Sequence, residues 1–245
     1  IMLVIFDLDD TLIDTSSTLI PHKIKACLDE INDSGLIHND FQNEFSKNIN
    51  VHNQELLDLC MNSSDGSTAL NYYLAKLNLK NHLSNKGANY LLDKCKKIYY
   101  SSPPKNIKFK EIEGAKSLIE SLKDNHDLVI VTKGNSETQL QKISHLKSNP
   151  GCFKKIIITN EYDKTDHYKK IMKEFNYKPG NILVCGDKFN TDLLPAKNLG
   201  MKTVHARFGR GKLIPKEFIN SDYSVEKLSE IKDIVNNSQN LSKKG

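Results

Sequence analysis

Apolar residues are arranged in two textures along this chain, and the change between them predicts its organisation. The run Met2-Leu3-Val4-Ile5-Phe6 is apolar without alternation, as in a strand buried on both faces, and it stops on Asp7-Leu8-Asp9-Asp10-Thr11. From about Thr15 to Asn106 no strand pattern appears. Apolar residues recur instead at helical spacing: Ile20, Ile24, Cys27, Leu28 and Ile31; then Leu56, Leu57, Leu59 and Cys60; Leu70, Tyr73, Leu74 and Leu77; and Leu91, Leu92, Cys95, Ile98 and Tyr99. Breaks fall at Asn32 to Gly35, at Asn62 to Gly66, around Asn78 to Asn85, and at Ser101-Ser102-Pro103-Pro104.

Beyond the double proline, helices alternate with continuous apolar strands. Helices are predicted near Glu111 to Lys123, Glu137 to Leu146, His167 to Phe175, Leu193 to Leu199 and Val225 to Val235. Strands are predicted at Leu128 to Val131, Ile156 to Ile158, Ile182 to Cys185 and Lys202 to Val204. This order is that of an α/β fold, a parallel sheet covered by helices on both faces. A lone first strand followed by a long helical stretch predicts a discontinuous α/β core, residues 1–14 and 107–245, carrying an all-helical insertion over 15–106. Insertions at the mouth of a sheet commonly act as lids. The polar tail 236–245 is predicted to be flexible.

Composition changes this picture little. The chain has 245 residues, with 27% charged, 38% hydrophobic and a net charge of +5. That is ordinary for a globular protein able to bury a core without disulfides, and basicity this mild does not point to nucleic acid. Cys27, Cys60, Cys95, Cys152 and Cys185 are scattered, with no CxxC or Cys/His ligand spacing, and read as reduced structural thiols. The N-terminal apolar run is far shorter than the ~18 residues that would span a bilayer. A cytoplasmic protein with no membrane partner is the expectation.

The chemistry sits where strands end. Asp7 and Asp9 at the mouth of a sheet repel one another and call for a cation, a shared proton, or both. The strand ending at Val131 runs into Thr132-Lys133-Gly134, where a hydroxyl and backbone amides can receive an anion. The strand ending at Cys185 runs into Gly186-Asp187 and on to Asp192, spaced GDxxxxD. Between them, Asp163-Lys164-Thr165-Asp166 precedes a helix. His205 to Lys212 is rich in glycine and cations but lacks the GxxxxGK[ST] spacing, so a mobile loop is expected there, and Tyr72, Tyr73, Tyr99 and Tyr100 are expected to pack the helical segment.

Taken in order, DLDDT at Asp7 to Thr11, Thr132, Lys164 and the GDxxxxD of Asp187 to Asp192 resemble the four motifs of the haloacid dehalogenase (HAD) superfamily of phosphohydrolases. The resemblance implies a Rossmann-like, HAD-like core and makes the inserted helices a cap of the all-helical type. It implies a Mg²⁺-dependent phosphatase acting on a small phosphorylated metabolite. Asp7 would be the nucleophile that forms an aspartyl-phosphate, and Asp9 the general acid and then base. Mg²⁺ would be held by Asp7, the backbone carbonyl of Asp9, Asp187 and Asp192. Lys164, Thr132 and the backbone amides of Asp10 and Lys133 would hold the phosphoryl oxygens. Phosphomutase, 2-haloacid dehalogenase and a catalytically silent binding protein are the competing readings of the same motifs.

Overall fold

The computed structural model describes residues 1–242. The chain divides into two compact units, residues 1–15 with 104–245 and residues 16–103.

The first unit is built on a six-stranded parallel sheet: β1 (Leu3–Phe6), β2 (Asp127–Lys133), β3 (Lys155–Thr159), β4 (Ile182–Gly186), β5 (Lys202–Ala206) and β6 (Tyr223–Val225), in the spatial order β3-β2-β1-β4-β5-β6. This is the Rossmann-like order, in which the direction of winding reverses between β1 and β4. β1 is buried at every position because it lies mid-sheet with both faces covered, which is why its sequence lacks alternation. Leu3, Ile5, Val129, Val131, Ile182 and Val184 form part of one apolar cluster with Tyr168 and Ile171 of a covering helix. Each such side chain contributes roughly 1.5–3 kcal/mol on burial.

The connecting helices are α6 (Ala115–Leu122), α7 (Ser136–Ser144), α8 (Thr165–Glu174), α9 (Leu194–Asn198) and α10 (Ser229–Ser242). Two details depart from the sequence pattern. Tyr223–Val225 is a strand, where the apolar periodicity suggested that a helix begins at Val225. Three residues paired to β5 along one edge bury too little to leave a strand signature. Residues 236–242, expected to belong to a flexible tail, continue α10, and residues 243–245 of that tail lie outside the described residues.

The second unit is all-helical: α1 (Thr15–Asp33), α2 (Asn39–Lys47), α3 (Ile49–Asn62), α4 (Gly66–Leu79) and α5 (Asn85–Tyr100). The four predicted apolar faces meet in one core, which includes Ile24, Leu28, Leu56, Leu70, Tyr73 and Leu91. The sequence gives α2 only Phe41 and Phe45, one turn apart, too few to declare a face, yet both are buried. Asp65 and Ser84 cap α4 and α5 by accepting from the amides of Thr68 and Gly87. All five cysteines are free, and four of them are buried. Among the described residues no helix is long and apolar enough to cross a membrane.

Candidate active site

Asp7 extends β1 by one residue. Its amide donates to the Cys185 carbonyl of β4 at 2.9 Å, which holds it at the crevice where the winding reverses. Its carboxylate Oδ1 lies 2.7 Å from Lys164 Nζ, and the same ammonium reaches Asp192 Oδ1 at 2.7 Å and the Val131 carbonyl of β2 at 2.8 Å. Lys164 stands just before α8 and is buried, so its charge is tolerated only through those three acceptors. Burial alone would lower its pKa, but Asp192 and Asp7 outweigh it and hold the ammonium well above the ordinary lysine value.

Asp187 follows β4, and Asp192 arrives through a single π turn, Phe189–Leu193. The wider turn aims Asp192 back at the strand end, where Oδ2 accepts from the Lys188 amide at 3.1 Å. Gly186 is demanded here: a Cβ on it would lie 2.6 Å from Asp192 Cβ and 2.7 Å from Asp192 Oδ2. Oxygens of Asp7, Asp187 and Asp192 all come within 4.8 Å of one another. Burial raises the Asp7 carboxyl to about 7, with Lys164 opposing and Asp192 and Asp9 adding to the rise. Asp187 is also pushed well up, first by burial, and its Oδ2 is buried with no hydrogen-bond partner. A surplus of carboxylate oxygen around one lysine, with one oxygen orphaned, fits a hard divalent cation.

Asp9 has a different neighbourhood. Its Oδ1 accepts from Lys142 Nζ at 2.5 Å and from the Thr15 hydroxyl, and its Oδ2 accepts from the Gln139 side-chain amide at 2.9 Å. Burial would raise its pKa, but Lys142 and these hydrogen bonds prevail and hold it below the usual carboxylate range. The Gln139 amide also donates to the Thr132 hydroxyl at 2.5 Å. The site thus gathers Asp7, Asp187, Asp192 and Lys164 in one group, and Asp9 and Thr132 in another joined through Gln139.

Asp10 adopts a left-handed conformation, φ 53°, in the tight turn after β1. Its amide donates to the Ile13 carbonyl at 2.7 Å within the same turn. Lys133 ends β2, and its Nζ sits 3.7 Å from the centroid of the Tyr162 ring. The loop after β5 is shaped by Arg207, whose guanidinium donates to the carbonyls of Ile214 at 2.9 Å and Lys212 at 3.3 Å, and Arg210 Nε stands 3.6 Å from Asp10 Oδ2.

Sequence reasoning missed Gln139 and Lys142. A signal was present: 139, 142, 143 and 146 are spaced as one helix face, and Ile143 and Leu146 on that face are buried, so two polar residues occupied core positions. Leu140, the apolar residue beside them, is exposed.

The family model for haloacid dehalogenase-like hydrolases matches residues 4–206, a span that includes Asp7, Asp9, Thr132, Gln139, Lys142, Lys164, Asp187 and Asp192. The chain belongs to that family. A glyceraldehyde 3-phosphate phosphatase from Pyrococcus furiosus is 28% identical over 242 residues, covering 96% of this chain and 93% of its own. Among solved structures, a predicted phosphoglycolate phosphatase from Haemophilus somnus superposes with a TM-score of 0.67 at 17% identity, covering 95% of this chain and 97% of that one. The magnesium-bound HAD-hydrolase YfnB from Bacillus subtilis superposes with a TM-score of 0.60 at 21% identity, covering 96% and 98%. At such identities the two structures establish the HAD-like fold, with its parallel sheet and helices.

Proposed function

We propose that this HAD-family hydrolase is a Mg²⁺-dependent phosphatase of a small phosphorylated metabolite and that it works through an aspartyl-phosphate on Asp7. The observation that carries the reading is Asp7 itself, a buried carboxylate gripped by Lys164 at 2.7 Å within a cluster of acids, two residues from an independently held Asp9. Asp7 attacks phosphorus, its oxygen bonding to phosphorus as the bond to the leaving oxygen breaks, and Asp9 gives its proton to that oxygen. A dianionic ester beside Asp9 favours the protonated carboxyl that this step needs, countering Lys142. In the second half, water gives a proton to Asp9, its oxygen bonds to phosphorus, and the Asp7–phosphorus bond breaks.

Asp7, Asp187, Asp192 and the backbone carbonyl of Asp9 would hold the cation. When bound, Mg²⁺ offsets the carboxylate surplus and the charge of the phosphoryl oxygens. Lys164 neutralises charge between Asp7 and the transferred group. Thr132, whose oxygen already accepts from Gln139, keeps its O–H to donate to a phosphoryl oxygen, together with the Lys133 amide. The tethering of Asp9 favours phosphoryl transfer over dehalogenation, where an aspartate attacks carbon and no leaving-group acid is required.

The name of the P. furiosus relative supports a small phosphate ester as substrate, glyceraldehyde 3-phosphate being the first to test. The helical unit 16–103, inserted in the chain directly after the first motif, is assigned the part of a cap. Phosphate release from a panel of such esters, measured with Mg²⁺ and with chelator, tests the reading against Asp7→Asn. Loss of turnover on the order of 10⁴-fold or more is expected for that variant. Unchanged turnover would move the chemistry to another residue.

A further inference from the structure

We propose that Lys142 and Gln139 of α7 are positioning residues that fix the Asp9 carboxyl in the orientation from which it exchanges its proton. The proposal rests on the phosphatase reading above. The side chain of Lys142 is 5% exposed. Its ammonium is committed to Asp9 Oδ1 at 2.5 Å and Gln139 Oε1 at 2.8 Å, with the Phe109 ring 5.9 Å away. Burying a lysine costs several kcal/mol unless it is paired, and here the paired carboxylate belongs to the functional site.

The local chain is shaped to deliver this contact. Asn135 caps α7 by accepting from the Thr138 amide at 3.2 Å, starting the helix immediately beyond Gly134. Gln139 and Lys142, three residues apart, then project from one face. A Cβ at position 134 would come within 3.0 Å of the Gln139 side chain, so the glycine leaves room for it. With Oδ1 held by Lys142 and Thr15, and Oδ2 held by Gln139, rotation of the Asp9 carboxyl is blocked from both oxygens. The Gln139 amide ties the same unit to Thr132, so the acid/base group and a phosphoryl-oxygen donor share one anchor. An ion pair that merely stabilised the fold would have no reason to meet those two groups.

Kinetics with two esters separates positioning from stabilisation. The wild type, Lys142→Met, Lys142→Arg, Gln139→Leu, Asp9→Asn and the Asp9→Asn/Lys142→Met double variant are assayed with Mg²⁺. The substrates are glyceraldehyde 3-phosphate, whose alkoxide leaving group needs a proton, and p-nitrophenyl phosphate, whose leaving group does not. In Lys142→Met, kcat/KM for the alkyl ester is expected to fall about 10²-fold, against less than about threefold for the aryl ester. Gln139→Leu shows the same asymmetry at about tenfold and serves if Lys142→Met fails to fold, while Lys142→Arg recovers activity to within about tenfold of wild type. In the Asp9→Asn background, removing Lys142 costs less than about threefold, because the group it positions is already gone. Equal losses on both esters, or losses that multiply in the double variant, overturn the inference while leaving an active phosphatase. A wild type that releases phosphate from neither ester sinks the phosphatase reading and this inference together.

Discussion

Asp7 and Asp9 stand two residues apart, each against a buried lysine, yet their surroundings are balanced in opposite ways. Around Asp7 there is too much acid: Asp187 and Asp192 crowd it, one ammonium is shared, and its carboxyl is raised to about 7. Around Asp9 there is too much donor: an ammonium, a hydroxyl and an amide converge on a single carboxylate, which is held below the usual range. The first neighbourhood leaves a buried Asp187 oxygen without a partner, a shortfall that an added cation would fill. The second is complete as folded. Under the proposed mechanism the former suits a nucleophile that meets a phosphate dianion beside a cation, whereas the donors of the latter orient the Asp9 carboxyl but favour its charged form, so that substrate charge must oppose them before it can carry a proton.

The most severe way to break the comparison is Lys164→Met, which leaves three carboxylates facing one another. Activity is expected to fall about 10³-fold and stability by about 3–5 kcal/mol, the cost of breaking a buried pair from one side. Chemical denaturation of the cation-free protein together with steady-state kinetics reads both. A loss of less than about 1 kcal/mol would mean that Lys164 is not the counter-charge that holds this cluster together.

Asp187→Asn sharpens the same point from the acid side. Asp187 Oδ2 is buried and unpartnered, so in chelator the amide variant is expected to match or exceed the wild type in thermal stability. Saturating Mg²⁺ at about 100 times its Kd should stabilise the wild type by about 2.7 kcal/mol, several degrees in Tm, and the variant by much less. Activity of the variant should fall at least about 10²-fold. Equal Mg²⁺ responses in the two proteins would remove Asp187 from the cation site.

How much of this contrast could be read in advance depended on where each residue lies relative to an apolar run. Asp7, Thr132 and Asp187 stand at the C-terminal ends of continuous apolar runs, Thr132 as the penultimate residue of β2, and a strand end is a place whose direction is known from sequence alone. Asp192 is marked by its spacing from Asp187, and Lys164 by its place in the turn before a helix together with the resemblance to the family's motifs. Gln139 and Lys142 lie on a helix, where polar residues ordinarily face water; their spacing with Ile143 and Leu146 marks the buried face, but only the contact with Asp9 in three dimensions shows what they meet there. The sheet order was legible only as a class. Which strand lies at the edge is fixed by pairing such as that of β5 with β6, and Tyr223–Val225 carries too few apolar residues to announce it.

The two carboxyls should also separate on the pH axis in the cation-free protein. Folded Asp7 keeps its proton up to about 7, whereas an unfolded aspartate releases it near pH ~3.9. Between those values the folded state binds more protons, so this contribution to stability is complete below pH ~4 and is lost as the pH rises through 7. Asp9 has the opposite sign: its contribution is present above the ordinary aspartate value and is lost as the pH falls toward its depressed one. The stability advantage of Asp7→Asn over wild type in chelator should therefore grow by roughly 1 kcal/mol or more between pH 5 and 8, and shrink on adding Mg²⁺. A constant difference across that range would contradict the acid surplus assigned to the Asp7 side.

The gentlest probe touches one hydrogen bond. Thr15, the first residue of α1, donates its hydroxyl to Asp9 Oδ1, which Lys142 also holds. Thr15→Val keeps the shape of the side chain and removes that donor, while Lys142 and Gln139 still grip both oxygens of Asp9. Because the carboxylate keeps its charged partner, the loss should be near the ~1 kcal/mol of an ordinary hydrogen bond, seen as about a threefold to tenfold fall in kcat with KM nearly unchanged. Thr15→Ser, which restores the hydroxyl, should restore the rate. If Thr15→Val instead costs as much as Lys142→Met, the orientation of Asp9 is set by the Thr15 hydroxyl as much as by Lys142, and the excess of donors around it is smaller than the contacts suggest.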